Sequence, residues 1–408
     1  MNKNRYSRRF SALLTGVLFV ALASTLTADA DAQVRTKKPQ KFFKAKRVKP
    51  MTEYGIKKER FGKTELNEEV AIYTLVNRSG MRAKITTYGA MLTSLQVPDG
   101  AGSHGEVALG FDNLRQYLDG HPYFGSTTGR VANRIAKGQF TLNGRTYNLA
   151  INNPPGALHG GDVGFDKRIW NAVEVMAELG PAVRFSYLSP DGEEGYPGNL
   201  WTIVTYTLTN NDELRIDYEV TTDKDTPINL TNHAYWNLTD GGASSILDHE
   251  LEIFGDHYTP VDSAMIPTGE FAPVAGTVMD FTRPIAIGAR IDQLPGDPEA
   301  NDPGGYDHNY ILRPGQGSSL RLIARAYSPQ TGRVMEVSTT EPGVQLYTGN
   351  FLDGTLTGRN GAVYQQRNAF CLEAQHFPDS VNQPNFPNTI LRPGQTYRQT
   401  TIHRFYTR

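Results

Sequence analysis

The stretch LWTIVTYTLTNNDELRIDYEV, residues 200–220, contains two runs of alternating character separated by turn-forming residues. Alternation with a period of two is typical of a strand that buries one face. Asn210-Asn211-Asp212, between the two runs, is typical of a hairpin connection. The stretch therefore predicts an antiparallel β-hairpin.

The same pattern recurs along most of the chain, with further alternating runs at residues 69–76, 81–88 and 182–188 and a second hairpin-type turn at Asn143-Gly144. No long amphipathic helix pattern, fixed-period repeat or Pro/Ser-rich linker interrupts it. The 408 residues include 40 Gly, 24 Pro, 20 Tyr and 18 Phe, a composition rich in turn formers and aromatics. We therefore expect an all-β protein in which residues 53–408 form one large antiparallel domain.

The N-terminus has the three parts of a secretory signal peptide. Four Lys and Arg residues fall within the first nine positions, an apolar run follows over residues 10–26, and small residues alternate in Ala28-Asp-Ala-Asp-Ala32. We expect residues 1–32 to be a signal peptide, cleaved after Ala30 or Ala32, that exports a bacterial protein to the periplasm or the medium. The alternative is an uncleaved membrane anchor, for which the apolar run is short.

Charge is distributed unevenly between the N-terminal segment and the body. Residues 1–50 carry a net charge of +10, whereas the rest of the chain carries −11. We interpret the basic residues 33–52 as a solvated linker, with contact to an anionic membrane surface as the alternative. The acidic body argues against nucleic-acid binding and against a substrate with several phosphates.

The number of cysteines and the absence of several sequence motifs exclude further kinds of site. Cys371 is the single cysteine, which excludes an intramolecular disulfide and a cysteine-based zinc site. The sequence also has no HExxH motif, no P-loop, no G-x-G-x-x-G opening a helix and no G-x-S-x-G elbow. We expect no metal and no cofactor.

A carboxylate interrupts a strand-like apolar segment at residues 369–377. Alternation places Phe370, Leu372 and Ala374 on one face, and Glu373 on the other with its neighbours Cys371 and Gln375. A carboxylate in such a segment is costly unless it is paired or lines a cleft. Partial desolvation would raise its pKa and suit it to general-base catalysis. An exposed strand face or a structural ion pair is the alternative.

A second segment, residues 226–238, places polar side chains together on one predicted face. Alternation assigns Ile228, Leu230 and Trp236 to the opposite face. A hydrogen-bonding surface with a histidine at its centre suits sugar hydroxyls, although a lone histidine is more often structural. The residues of this polar face are Asn229, Thr231, His233, Tyr235 and Asn237.

Seven segments together make the chain resemble the aldose 1-epimerase (galactose mutarotase) family, in the family's order, from Tyr54 to Phe405. The resemblance implies a large antiparallel β-supersandwich with an active site in an open cleft. The segments are HPYFGSTTGRVANRIAKGQF (121–140), LHGGDVGFDKRIW (158–170), SPDGEEGYPGNL (189–200), TPINLTNHAYWNL (226–238), YDHNY (306–310), TTEPGVQLYTGNFLDG (339–354) and CLEAQHFPDSVNQPNFP (371–387).

The resemblance also implies roles for individual residues. Glu373, in C-L-E, corresponds to the family's catalytic base, and His233, in T-N-H, to its catalytic acid. The chain departs from relatives at N-H-A-Y-W-N and L-E-A-Q, where N-H-S-Y-F-N and L-E-T-Q are frequent, and neither change removes a catalytic group. The implied sugar-binding residues are Asn133, Arg134, His159, Tyr235, Asp307 and Gln345.

This assignment predicts interconversion of the α and β anomers of free aldohexoses by acid–base ring opening and closure. One base and one acid suffice for the reaction. The alternatives are a hexose-6-phosphate epimerase on the same scaffold, a non-catalytic carbohydrate-binding protein, and a glycoside-processing enzyme using Glu373 and Asp307. We expect a small-molecule sugar as substrate, a monomer or weak dimer, and no stable membrane insertion after cleavage.

Overall fold

The hairpin predicted at residues 200–220 forms as expected. Strands Leu200–Leu208 and Glu213–Thr222 pair antiparallel, with Leu208 opposite Leu214. In the second strand the apolar residues at alternate positions are buried, and each contributes about 1.5–3 kcal/mol to stability. The prediction from alternation is therefore confirmed.

The computed structural model describes residues 54–297, 302–315 and 319–408. The predicted signal peptide (1–32) and basic linker (33–52) lie outside the described residues. The domain boundaries therefore remain a prediction, while every described residue falls within one compact unit.

The described residues form 27 strands, one short α-helix and several 3-10 turns. In chain order they are β1 (Gly55–Lys63), β2 (Glu69–Val76), β3 (Arg82–Thr86), β4 (Met91–Pro98), β5 (His104–Glu106), α1 (Leu114–Leu118), β6 (Thr127–Thr128), β7 (Arg134–Ile135), β8 (Gln139–Leu142), β9 (Arg145–Asn148), β10 (Ala157–Leu158), β11 (Asn171–Ala177), β12 (Gly180–Ser189), β13 (Leu200–Leu208), β14 (Glu213–Thr222), β15 (Thr226–Pro227), β16 (Thr231–Asn232), β17 (Glu250–Ile253), β18 (Gly255–Tyr258), β19 (Ala272–Pro273), β20 (Ile285–Ala286), β21 (Asp307–Leu312), β22 (Arg321–Tyr327), β23 (Arg333–Thr339), β24 (Gly343–Tyr347), β25 (Cys371–Gln375), β26 (Ile390–Leu391) and β27 (Tyr397–Thr407). The 3-10 turns are Ala136–Gly138, Phe165–Lys167, Glu193–Gly195, Ile287–Ala289, Ile291–Gln293 and Arg359–Gly361.

Three large sheets organise these strands. One has five strands in the order β1-β2-β3-β4-β5, one has nine in the order β11-β12-β13-β14-β27-β23-β22-β17-β20, and one has five in the order β19-β18-β21-β24-β25. Neighbours in all three sheets pair antiparallel. The predicted all-β antiparallel architecture is therefore confirmed.

One large apolar core draws buried residues from all three sheets. Tyr73 of β2 meets Phe185 of β12 edge to face at 6.1 Å, which joins the first sheet to the nine-stranded sheet. Val344 and Leu346 bring β24 of the third sheet into the same core. Packing of sheet faces over a shared core is the sandwich arrangement that alternating strands favour.

The predicted turn at Asn143-Gly144 is a two-residue connection between β8 and β9, where Leu142 pairs with Arg145. Both turn residues have positive φ, 52° and 77°, as a type I′ hairpin requires.

The described residues contain little helix. The helix α1 has five residues, and no helix in the described ranges has the length and apolarity to cross a membrane.

Strand pairing brings distant segments to one end of the third sheet. Gln345 of β24 lies opposite Glu373 of β25, and Asp307 of β21 lies opposite Tyr347. The small pair β7–β10 places Leu158 next to Arg134. These pairings position the residues of the candidate site.

Candidate active site

The predicted site residues converge on one open cavity of about 340 Å³, which we call the sugar cavity. This size falls in the range of small-molecule sites, roughly 300–1,000 Å³. Gln345 is the one predicted residue that does not line it. The lining residues are Pro122, Tyr123, Asn133, Arg134, Asn153, Leu158, His159, His233, Tyr235, Asp307, Tyr347, Phe351 and Glu373.

Glu373 and His233 face each other in the sugar cavity. The distance from His233 Nε2 to Glu373 Oε2 is 3.6 Å, slightly longer than a hydrogen bond. Glu373 is 2% exposed and its Oε2 has no hydrogen-bond partner among the described residues. The alternative of an exposed strand face is therefore wrong for Glu373.

Burial shifts the protonation of both groups toward their neutral forms. It raises the pKa of Glu373 well above the usual 4.5, and the negative charge of Asp307 adds to this rise. Burial also lowers the pKa of His233 to about 4. When the pair holds one proton, the low-dielectric surroundings thus favour its position on the carboxyl group.

His159 has a tautomer set by the backbone. The amide N–H of Asn133 donates to His159 Nδ1 at 3.2 Å, so that nitrogen must be unprotonated and Nε2 must carry the hydrogen. Burial lowers the pKa of His159 well below 6.5, which is consistent with a neutral ring. The neutral His159 ring can therefore donate a hydrogen bond from Nε2, but it lacks the acidic proton of an imidazolium.

Three residues of the cavity wall have left-handed backbones, although none is a glycine. The φ angles are 63° for Tyr123, 60° for Asn133 and 51° for His159. Such conformations are costly for residues with a Cβ and cluster at functional sites. At Asn133 the side chain offsets part of the cost, because its Oδ1 accepts from the Arg134 amide at 2.9 Å.

Arg134 and Asp307 form a charged group in the wall of the cavity. Arg134 Nη1 is 3.6 Å from Asp307 Oδ2, and Arg134 Nε donates to Asn153 Oδ1 at 3.3 Å. Gln345 Nε2 donates to Asp307 Oδ1 at 2.7 Å. Gln345 thus orients Asp307, while its predicted contact with sugar remains a prediction.

The polar face predicted over residues 226–238 is only partly correct. The segment is broken into short pieces, β15 and β16 followed by isolated bridges, so one period of two does not hold throughout. Asn229 and Asn237 direct their amides to backbone carbonyls elsewhere. Of the five predicted polar residues, His233 and Tyr235 line the sugar cavity.

Sequence analysis missed several residues of the cavity wall. Tyr123 and Phe351 lie within segments that carried the resemblance, but no local pattern singled them out. Asn153 precedes Pro154-Pro155 and had no signal beyond that turn. Their role emerges only from long-range packing.

A larger cavity of about 490 Å³ adjoins the sugar cavity and shares Arg134, Asn153, Asp307 and Phe351 with it. Its other walls come from loops around residues 261–265, 293–295 and 302–305. The sugar cavity is thus open toward this side.

Within the described residues, His159, His233 and Glu373 form the one group whose geometry could suit a metal ion, with ligand atoms within 4.8 Å of one another. A metal ligand must offer an unprotonated nitrogen, and in His159 that nitrogen accepts the Asn133 amide. In this tautomer His159 has no free lone pair to offer, so the group is a poor fit for a metal ion.

Comparison with known proteins identifies relatives over most of the chain. The sequence profile described as Aldose 1-epimerase matches residues 71–404. The galactose mutarotase of Sus scrofa is 49% identical over 79% of this chain and 90% of its own, and the aldose 1-epimerase of Escherichia coli K12 is 37% identical over 82% and 94%. The crystal structure of an aldose epimerase homologue from C. elegans has a TM-score of 0.74 and 30% identity, covering 82% of this chain and 98% of that one.

Proposed function

The chain belongs to the aldose 1-epimerase family, and we propose that its cavity interconverts the α and β anomers of free aldoses with Glu373 as base and His233 as acid. The observation that carries these two roles is the buried carboxylate and imidazole facing each other at 3.6 Å in a cavity of sugar size. One base and one acid, each worth roughly 10²–10⁴-fold, meet the needs of the reaction.

Ring opening moves two protons and one electron pair. The Glu373 carboxylate takes the proton of the C1 hydroxyl, the C1=O bond forms, and the bond between C1 and the ring oxygen breaks. Its electron pair goes to the ring oxygen, which takes a proton from the His233 imidazolium. Rotation about C1–C2 and the reverse transfers close the ring on the other face.

The electrostatics of the pair favour the opening half of this cycle. With a cyclic sugar the pair must hold a carboxylate and an imidazolium; with the open-chain aldehyde it holds a carboxylic acid and a neutral imidazole. Burial raises the pKa of Glu373 and lowers that of His233, so the second arrangement is the more stable in this environment. Ring opening thus discharges a buried ion pair.

The remaining polar groups hold the sugar in place. His159 donates from Nε2 to a sugar oxygen near the reacting bond, and its neutral tautomer makes this donor independent of pH around neutrality. Asp307, oriented by Arg134 and Gln345, accepts from hydroxyls. A fixed orientation of the ring supplies part of the rate.

A free sugar fits the cavities better than a sugar phosphate. Among the residues lining the sugar cavity and its neighbour, Arg134 is the one side chain with a permanent positive charge, and Asp307 lies against it. Asp262 and Asp302 add negative charge to the neighbouring cavity. We propose galactose and glucose as substrates, because relatives are galactose mutarotases.

Mutarotation of α-galactose and α-glucose, followed by polarimetry with the purified protein, tests this function. We expect a rate well above the spontaneous one for both sugars, and a much smaller effect on their 6-phosphates. No acceleration with any free aldose would refute the proposal.

We further propose that the enzyme is exported, with residues 1–32 removed. The support is the sequence alone, since these residues lie outside the described ranges. Mass spectrometry of the protein recovered from the periplasm or medium should give a mature N-terminus at Asp31 or Gln33. An intact N-terminus on cytoplasmic protein would contradict export.

A further inference from the structure

The imidazole of His233 lies nearly parallel to two tyrosine rings. The ring centroids are 5.8 Å apart for Tyr123, with an interplanar angle of 20°, and 5.1 Å apart for Tyr235, with an angle of 15°. The quadrupole of an aromatic ring attracts a cation within about 6 Å of its centroid. Both tyrosines are within this range of a charged His233.

Apart from these two rings, a positive charge on His233 is favoured by the Glu373 carboxylate at 3.6 Å, by Asp307 and by a hydrogen bond with its own backbone. The side chain is buried, and its Nδ1 lies 3.6 Å from Cys371 Sγ, a weak hydrogen-bond partner. Glu373 is the nearest carboxylate, but it is beyond hydrogen-bond distance. The other titratable or charged groups that face His233 or Tyr123 are His121, Arg134, His159, Asp162, Asp166, Lys167, Asp307 and Tyr347.

We propose that Tyr123 is a positioning residue of the reaction, whose ring stabilises the charged form of His233. This inference rests on the proposed function, in which His233 delivers a proton to the ring oxygen. Tyr235 contributes in the same way but is also part of the buried apolar core. Tyr123 lies in the cavity wall and is only partly buried, so its ring can be replaced without opening the core.

The loop of Tyr123 is fixed to the backbone of His233. The Gly125 amide donates to the His233 carbonyl at 2.9 Å, and the His233 amide donates to the Ser126 carbonyl at 3.0 Å. The Ser126 amide and hydroxyl both donate to the Tyr123 carbonyl at 3.0 Å. These bonds hold the left-handed backbone of Tyr123 and thereby the orientation of its ring.

An NMR titration of His233 isolates this effect. In a Glu373→Gln background the His233 imidazole titrates without its coupled carboxyl partner. The His233 pKa is then compared between the protein with Tyr123 and the Tyr123→Phe and Tyr123→Leu variants. We expect the phenylalanine variant to keep the His233 pKa within about 0.3 units and the leucine variant to lower it by about one unit. Tyr123→Met, a second non-aromatic replacement, should behave as leucine does.

A packing role alone would move the titration the other way. Loss of a covering ring would let water reach His233, weaken its desolvation and raise its pKa. A raised or unchanged pKa in the leucine and methionine variants would therefore overturn the inference. With Glu373 present, we also expect kcat/KM for mutarotation to be about tenfold lower for Tyr123→Leu than for Tyr123→Phe, and equal values would count against it.

Different variants test the role of His233 and the role of Tyr123. Full mutarotase activity in His233→Ala would refute the proposed role of His233 whatever the titration gives. An unchanged titration would refute only the role of Tyr123.

Discussion

Two glutamate–histidine pairs each take one residue from β25 or from the position just after it, and the pairs differ in their spacing. In the cleft pair, His233 and Glu373, the facing atoms are 3.6 Å apart. In the anchored pair, His376 Nδ1 and Glu341 Oε2 are 2.6 Å apart, and Tyr397 Oη lies 3.4 Å from the other carboxylate oxygen. His376 follows β25 directly, so the two pairs are joined by one strand.

The spacing determines what each pair does to its own charges. Burial acts to lower the pKa of His376, but the adjacent Glu341 carboxylate more than compensates, and the pKa is raised. In the cleft pair, burial dominates and pushes Glu373 and His233 toward their neutral forms. The close spacing of the anchored pair stabilises its charges and fixes strand ends. The wider spacing of the cleft pair leaves room for substrate atoms between two groups that can exchange protons.

Replacement of the glutamate of the cleft pair should have the largest effect on activity. Glu373→Gln removes the base and keeps the shape, so we expect kcat for mutarotation to fall by about 10²–10⁴-fold. Polarimetry with α-galactose measures it. A decrease of less than about tenfold would show that the cleft pair does not carry the reaction.

The matching change in the anchored pair should act on stability. Glu341→Gln removes the carboxylate that holds the proton on His376, and we expect the free energy of unfolding to fall by about 1.5–3 kcal/mol, the worth of a charged hydrogen bond. Denaturant unfolding at pH 6 measures this loss, and kcat of the folded fraction should stay within about threefold. Wild-type stability would show that the anchored pair does not hold the strands.

Asp307→Asn tests the proposed sugar-binding group of the site rather than the acid–base pair. It removes a charged hydrogen-bond acceptor, worth roughly 1.5–3 kcal/mol, so we expect KM to rise at least about tenfold with a smaller change in kcat. Asp256→Asn, in an exposed ion pair with Arg313, is the matched control and should leave both constants unchanged. Equal kinetics for the two variants would remove Asp307 from the site.

The smallest expected effect is a pH-dependent gain in stability for Glu373→Gln. The pKa of Glu373 is raised in the folded state, so above pH 4.5 the unfolded state loses its proton first and wild-type stability falls as pH rises toward the folded pKa. The variant has no such loss. Its advantage in free energy of unfolding should be near zero below pH 4.5 and grow by up to about 1.4 kcal/mol per pH unit between pH 4.5 and the folded pKa. An advantage that shrinks with pH would contradict the assignment.

Local pattern predicted those parts of the fold that depend on neighbours in sequence. The hairpins at residues 200–220 and at Asn143-Gly144 were correct because alternation and turn residues act over a few positions. The polar face of residues 226–238 was partly wrong because the segment breaks into β15, β16 and single bridges, which ends the period of two.

The site depended on contacts that no local pattern contains. Alternation singled out Glu373 and His233, and the resemblance supplied their roles together with that of Asp307. The structure places the three residues in one cavity, while their catalytic and binding roles remain predictions. Tyr123 was missed because its importance comes from a ring stacked on His233, 110 positions away in the sequence. The anchored pair was missed because Glu341 meets His376 only through the pairing of β24 with β25.

The difference between the cleft pair and the anchored pair is tested most directly by the same replacement of their histidines, His233 and His376. Anomer exchange of galactose is measured by NMR for His233→Asn and His376→Asn, each checked for folding by thermal unfolding. We predict that His233→Asn loses about 10²–10⁴-fold in rate with its unfolding temperature kept, whereas His376→Asn keeps its rate within about threefold and unfolds at a lower temperature. Equal losses of rate in the two variants, or an active His233→Asn, would contradict the account.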